Sequence, residues 1–132
     1  MKEADISKAL RERLEAKAGL PPIVYENKDS GAVVRPRLVL TMVRGSRVDP
    51  TLTGGGTTRH TGFMQVSIVS ELDQHAFPSE NLADDIADHF PRGLKLAGES
   101  GGTVTISGAE IGIAYRDGPD WRLPVKIDYL AS

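Results

Sequence analysis

Apolar positions along the chain follow two rhythms, one of period near four and one of period two. Near the N-terminus Ile6, Leu10 and Leu14 recur four apart, with Ala9 and Ala18 close to the same stripe. Lys8, Arg11, Glu12 and Glu15 take the opposite face. That spacing predicts an amphipathic helix over residues 3–18. Asp5 is placed to cap its start, Glu3 and Asp5 suit its positive end, and Gly19 followed by Pro21-Pro22 stops it. IVYEN, Ile23 to Asn27, is a short β-branched and aromatic run, and NKDSG after it has the composition of a turn.

The period then changes to two. Ala32 to Gly45 predicts a longer strand, with Pro36 making its early half an edge or a pre-strand segment. Beyond Pro36, Leu38, Leu40 and Met42 alternate with Arg37, Val39, Thr41 and Val43. TGFMQVSIVSEL resumes as strand, with Phe63, Gln65, Ser67 and Val69 on one face and Met64, Val66 and Ile68 on the other. FPSENLADDIADHFPRG returns to a helical period: Ser79 suits the N-cap, Leu82, Ile86 and Phe90 mark the buried stripe, and Pro91 and Gly93 end it. The rest is strand, Gly-rich turn, strand, RDGPD turn and a last strand. There Trp121, Leu123, Val125, Ile127 and Tyr129 alternate with Arg122, Lys126 and Asp128, a strand with one wet face. The predicted order is α-β-β-β-α-β-β-β. This is an α+β fold of two helices packed on a mostly antiparallel β-sheet of about five or six strands.

Composition narrows the class more than it identifies a chemistry. A chain of 132 residues suits a single domain, residues 1–132. A net charge of -2 with scattered basic residues offers no field for specific nucleic-acid binding. Cysteine is absent, which removes thiolate metal sites and cysteine nucleophiles. No apolar run approaches the ~18 residues that span a bilayer, and MKEADISKAL is charged and amphipathic rather than a signal peptide, so no membrane partner is expected.

One stretch looks chemical: RVDPTLTGGGTTRH, between the second and third predicted strands. A P-loop needs a lysine after its glycines and a helix after that, so that backbone N–H groups converge on phosphate. TGGGTTRH has no lysine, and a strand follows it. The three histidines, His60, His75 and His89, fall in a loop, a linker and a helix end; Asp85 and His89 stand i, i+4 but suit a solvated helix face better than a metal. ISGAE lacks the left-hand glycine of a nucleophile elbow. No catalytic, metal or cofactor site is therefore expected. The loop, about 45–58, exceeds the ~2–5 residues of a tight hairpin, and loops of that length in small domains are functional or disordered. A flexible arm that orders on contact fits its glycines. It makes Arg47, Asp49, Thr53, Gly54, Gly55, Gly56, Thr57, Thr58, Arg59 and His60 candidate assembly-interface residues.

Taken over nearly its whole length, the chain resembles the tail-terminator-like proteins of siphophages and prophages, the lambda-type minor tail protein family. The likeness is carried by the N-terminal helix running into LPPIVYEN, by RHTGFMQVSI, by LADDIADHFPRG and by DGPDWRLPVKIDYLA. The resemblance implies a structural protein with no enzymatic activity and no cofactor. It implies a subunit of a hexameric ring that caps the tail tube, stops tube polymerisation and provides the surface on which the head docks. The implied partners are further copies of the chain, the tail-tube protein and the head–tail connector, with DNA passing through the ring. The implied location is the bacterial host cytoplasm during assembly and then the virion tail. Another phage joining component, such as a head-completion or tail-tube protein, and a small ligand-binding α+β domain are the alternatives.

Overall fold

Helix α1 begins where the first turn can carry two acids, Glu3 and Asp5, and ends after Arg13, whose charge suits the negative helix end. In the computed structural model α1 spans Glu3–Glu15 and buries Ile6, Ala9, Leu10 and Leu14, the stripe the spacing predicts. The structure describes residues 3–25, 37–48, 59–71, 77–99, 101–118 and 120–131. After α1 come β1 (Ile23–Tyr25), β2 (Arg37–Val48), β3 (Arg59–Glu71), α2 (Phe77–His89), β4 (Lys95–Ala97), β5 (Thr103–Ile111), β6 (Tyr115–Asp117) and β7 (Asp120–Ala131).

The strands form one mixed sheet in the order β1-β2-β3-β7-β5-β4, with β6 paired to β7 beside the end of β5. β1 runs parallel to β2, and the other pairs are antiparallel. The chain is thus α+β, two helices against a curled, half-barrel sheet. Both helices lie on one face. Leu38, Leu40, Met64, Val66, Ile68, Leu123, Val125, Ile127 and Tyr129 from the sheet meet Ile6, Leu10, Leu14, Ala83, Ile86 and Phe90 from the helices. β7 shows the cleanest alternation, with odd-numbered residues from Leu123 to Ala131 buried under the helices.

Four boundaries differ from the sequence expectation. α1 stops at Glu15, and Asp5 lies inside it, buried, rather than capping it. α2 starts at Phe77, ahead of Ser79. The single strand expected between the Gly-rich turn and the RDGPD turn breaks at Gly112 into β5 and β6, and β6 takes in Arg116 and Asp117 of that turn. Residues 46–48, expected as loop, continue β2 beyond Gly45: a register shift between Arg44 and Arg47 absorbs one irregularity, and Arg47 then pairs His60. Such a bulge keeps a polar, glycine-containing run in the ladder while bending it.

The helices are tied to each other at their ends. Arg13 donates from Nε and Nη2 to the His89 carbonyl at 3.1 and 2.9 Å, and His89 Nε2 donates to the Arg13 carbonyl at 2.6 Å. Each C-terminus so satisfies a carbonyl that its own helix leaves open. Lys8 of α1 donates to Glu99 beyond β4 at 2.8 Å, and that hydrogen bond holds the Lys8 pKa above its ordinary 10.5.

Candidate assembly surface

The upper end of the β2–β3 hairpin carries the described part of the predicted interface. Arg47 and Arg59 are exposed, and neither side chain has a hydrogen-bond or ion-pair partner among the described residues. Asp49, Thr53, Gly54, Gly55, Gly56, Thr57 and Thr58 lie outside the described residues. His60 is the exception within the set, because it points inwards and is 1% exposed. Its Nδ1 lies 2.7 Å from Glu3 Oε1; a carboxylate can only accept, so Nδ1 donates. Glu3 Oε2 lies 3.2 Å from Arg44 Nε, and Arg44 Nη2 donates to Ser7 Oγ at 2.6 Å. His60 therefore fastens the first turn of α1 to the root of the hairpin. Its Nε2 and the Tyr129 hydroxyl are buried with no hydrogen-bond partner among the described residues.

Close backbone approach shapes the same region. A Cβ on Gly62 would meet the Val43 carbonyl oxygen at 2.5 Å and the Tyr129 hydroxyl at 2.7 Å. The space Gly62 leaves is taken up by the Tyr129 hydroxyl and the Val43 backbone.

The sheet face turned away from the helices is exposed towards the hairpin end and covered further along, where Ser67 and Val69 are buried. By strand alternation it presents Val43, Thr61, Phe63, Asp128 and Leu130, with Lys126 Nζ 4.5 Å from the Phe63 ring centroid. A shallow trough of about 510 Å³ crosses it, lined by Gly45, Thr61, Phe63, Ser107, Asp128 and Leu130 among others. The trough is open and part apolar, with the character of a contact surface rather than of a substrate cleft. Among the described residues no group of three or more His, Cys, Asp or Glu is gathered for a metal, and no helix is long and apolar enough to cross a membrane. His89, considered above as a metal partner of Asp85, is instead spent on the Arg13 carbonyl.

Sequence reasoning missed two parts of this surface. Glu3 was legible only as a helix-start charge, since its partner His60 is 57 residues away. The exposed apolar residues at Ile111, Ile113 and Tyr115 were read as one continuous strand. Their signal was available in IGIAY, where apolar side chains flank a glycine with no polar residue between them.

A half-barrel sheet with two helices on one face is an α+β frame, and comparisons with known proteins find the same frame elsewhere. One solved chain is 17% identical, with a TM-score of 0.78, the match covering 100% of this chain and 96% of the other. A chain of the structure titled "Virion of native gene transfer agent (GTA) particle" is 15% identical, with a TM-score of 0.62 and 98% of each chain covered. At these identities the likeness is one of fold. The comparison with curated proteins returns no match. The family model for phage tail terminator protein matches residues 5–129. The chain belongs to the phage tail terminator family. That is a family of structural proteins rather than enzymes, which makes the chain a structural component of a phage-type tail.

Proposed function

We propose that the chain is a tail-terminator subunit that closes into a ring, hexameric as the family resemblance implies. The ring caps the tail tube, stops its polymerisation and gives the head its docking surface. Its partners are further copies of itself, the tail-tube protein and the head–tail connector, with DNA passing through the opening. It works in the host cytoplasm during assembly and remains in the virion tail. The observation that carries this reading is the family match over residues 5–129. The fold likeness to a chain of a gene transfer agent virion supports it.

The segment between β2 and β3, with Arg47 and Arg59 at its roots, is the contact arm in this reading. Light scattering over a concentration series, with negative-stain images and purified tail tubes added, tests both parts. Closed rings that seat on tube ends are the expected result. Long tubes built from this chain alone would make it a tube protein instead, and a strict monomer that ignores added tubes would sink both. Deleting Thr53 to Thr58 should leave the thermal unfolding midpoint unchanged and abolish capping; a deletion variant that still caps removes the arm from the mechanism.

A further inference from the structure

Where β6 gives way to β7 the chain carries its one Asp–Gly step, Asp117-Gly118, and the sequence has no Asn–Gly. The step is chemically distinct because glycine has no side chain to shield its main-chain nitrogen. The carboxyl of the preceding aspartate can reach that nitrogen and close a five-membered ring. The fold decides whether the two groups are free to meet.

Here both are exposed and lightly held. Gly118 is exposed, its φ is +58°, and a Cβ built on it meets nothing within 4 Å. Its N–H has no acceptor among the described residues, while its carbonyl accepts from Arg116 Nε at 3.1 Å. The Asp117 side chain is 55% exposed, and its Oδ2 lies 2.7 Å from Arg122 Nε. That approach is an ion pair without the alignment of a hydrogen bond, for Arg122 Nε has no hydrogen-bond partner among the described residues. The carboxylate is therefore held by charge and stays free to turn. β6 is three residues long, exposed throughout and paired only with β7, so it opens more readily than the long pairing of β3 with β7.

We propose that Asp117 is a modification site, at which the folded chain isomerises to isoaspartate through a succinimide, and that Arg122 slows the reaction by holding the carboxylate away from Gly118. In the first step the Gly118 nitrogen attacks Asp117 Cγ. A C–N bond forms as a Cγ–O bond breaks, and one water leaves, made of a carboxyl oxygen with its proton and the amide proton. Solvent water then opens the ring. Addition at Cγ restores aspartate. Addition at the Asp117 main-chain carbonyl leaves the chain running through Cγ, one carbon longer, between β6 and β7. Nothing is oxidised or reduced, and the mass is unchanged. The chemistry belongs to a single chain and does not rest on ring formation.

Peptide mapping with electron-transfer fragmentation distinguishes isoaspartate from aspartate at equal mass. In native chain held in warm, neutral buffer over weeks, isoaspartate should accumulate at residue 117. Asp117→Glu, which would have to close a six-membered ring, should give no such product. Absence of isoaspartate at 117 in the native chain overturns the site, whatever the urea-unfolded chain does. Arg122→Gln should raise the rate about two- to fivefold, the weight of one exposed ion pair, and a rate equal to that of the native chain overturns the role of Arg122. Arg122→Lys keeps the charge and should stay near the native rate. A rate as high as that of Arg122→Gln would assign the effect to lost packing and overturn the ion pair as the restraint.

Discussion

Gly62 shows how one missing side chain organises its surroundings. The Cβ that any other residue would add lands 2.5 Å from the Val43 carbonyl oxygen and 3.0 Å from the Gly45 nitrogen. Both are backbone atoms, so no change of rotamer relieves the clash. Gly62→Ala should therefore lower stability by about 1–3 kcal/mol in urea unfolding, despite the entropy that alanine saves in the unfolded chain. Gly108 is the control, because a Cβ there meets nothing within 4 Å and its φ is not positive. Gly108→Ala should change stability by less than about 0.5 kcal/mol. Equal effects at the two positions would contradict the packing described for Tyr129. His60 teaches the complementary lesson. Beside three glycines and two threonines it looked chemical, yet the fold turns it inward to hold Glu3. Nothing within RHTGF distinguishes the two roles, since the residue that decides between them belongs to another element.

Elements were legible wherever the environment of a residue is set by its near neighbours. β7 alternates as its sequence does, and the stripes of both helices are those the spacing predicts. Boundaries were less legible because distant pairing decides them. β2 runs past Gly45 because β3 offers hydrogen-bonding partners as far as Val48, which a local reading of SRV as loop cannot know. The joint between α1 and α2 was invisible for the same reason, with 76 residues separating Arg13 from His89. It yields a prediction at this scale. Arg13→Ala and His89→Ala should each cost about 1 kcal/mol. Combined, they should cost less than the sum by roughly 0.5 kcal/mol or more, since both bonds hold one joint. A double-mutant cycle by chemical denaturation measures this, and strict additivity would mean that the bonds act separately.

The whole molecule is organised around β3 and β7, which pair with each other along their full lengths from His60–Ala131 to Glu71–Asp120. Every other strand except β2 and β5 is three residues long. Opening β3 from β7 breaks the core, while β1, β4 and β6 can fray without it. Native-state hydrogen exchange should find the slowest amides in β3 and β7 and the fastest strand amides in β1, β4 and β6; protection spread evenly over the sheet would refute that hierarchy. The same strands bring the two extremities of the fold together. Glu3 reaches His60 through its side chain, and Ala131 faces His60 across the ladder. Chain that enters the fold at Glu3 and leaves it at Ala131 therefore does so beside the root of the hairpin. Handles for purification or imaging belong elsewhere, and the turn at Gly118, at the other end of β7, is a site where an insertion would leave that corner unobstructed.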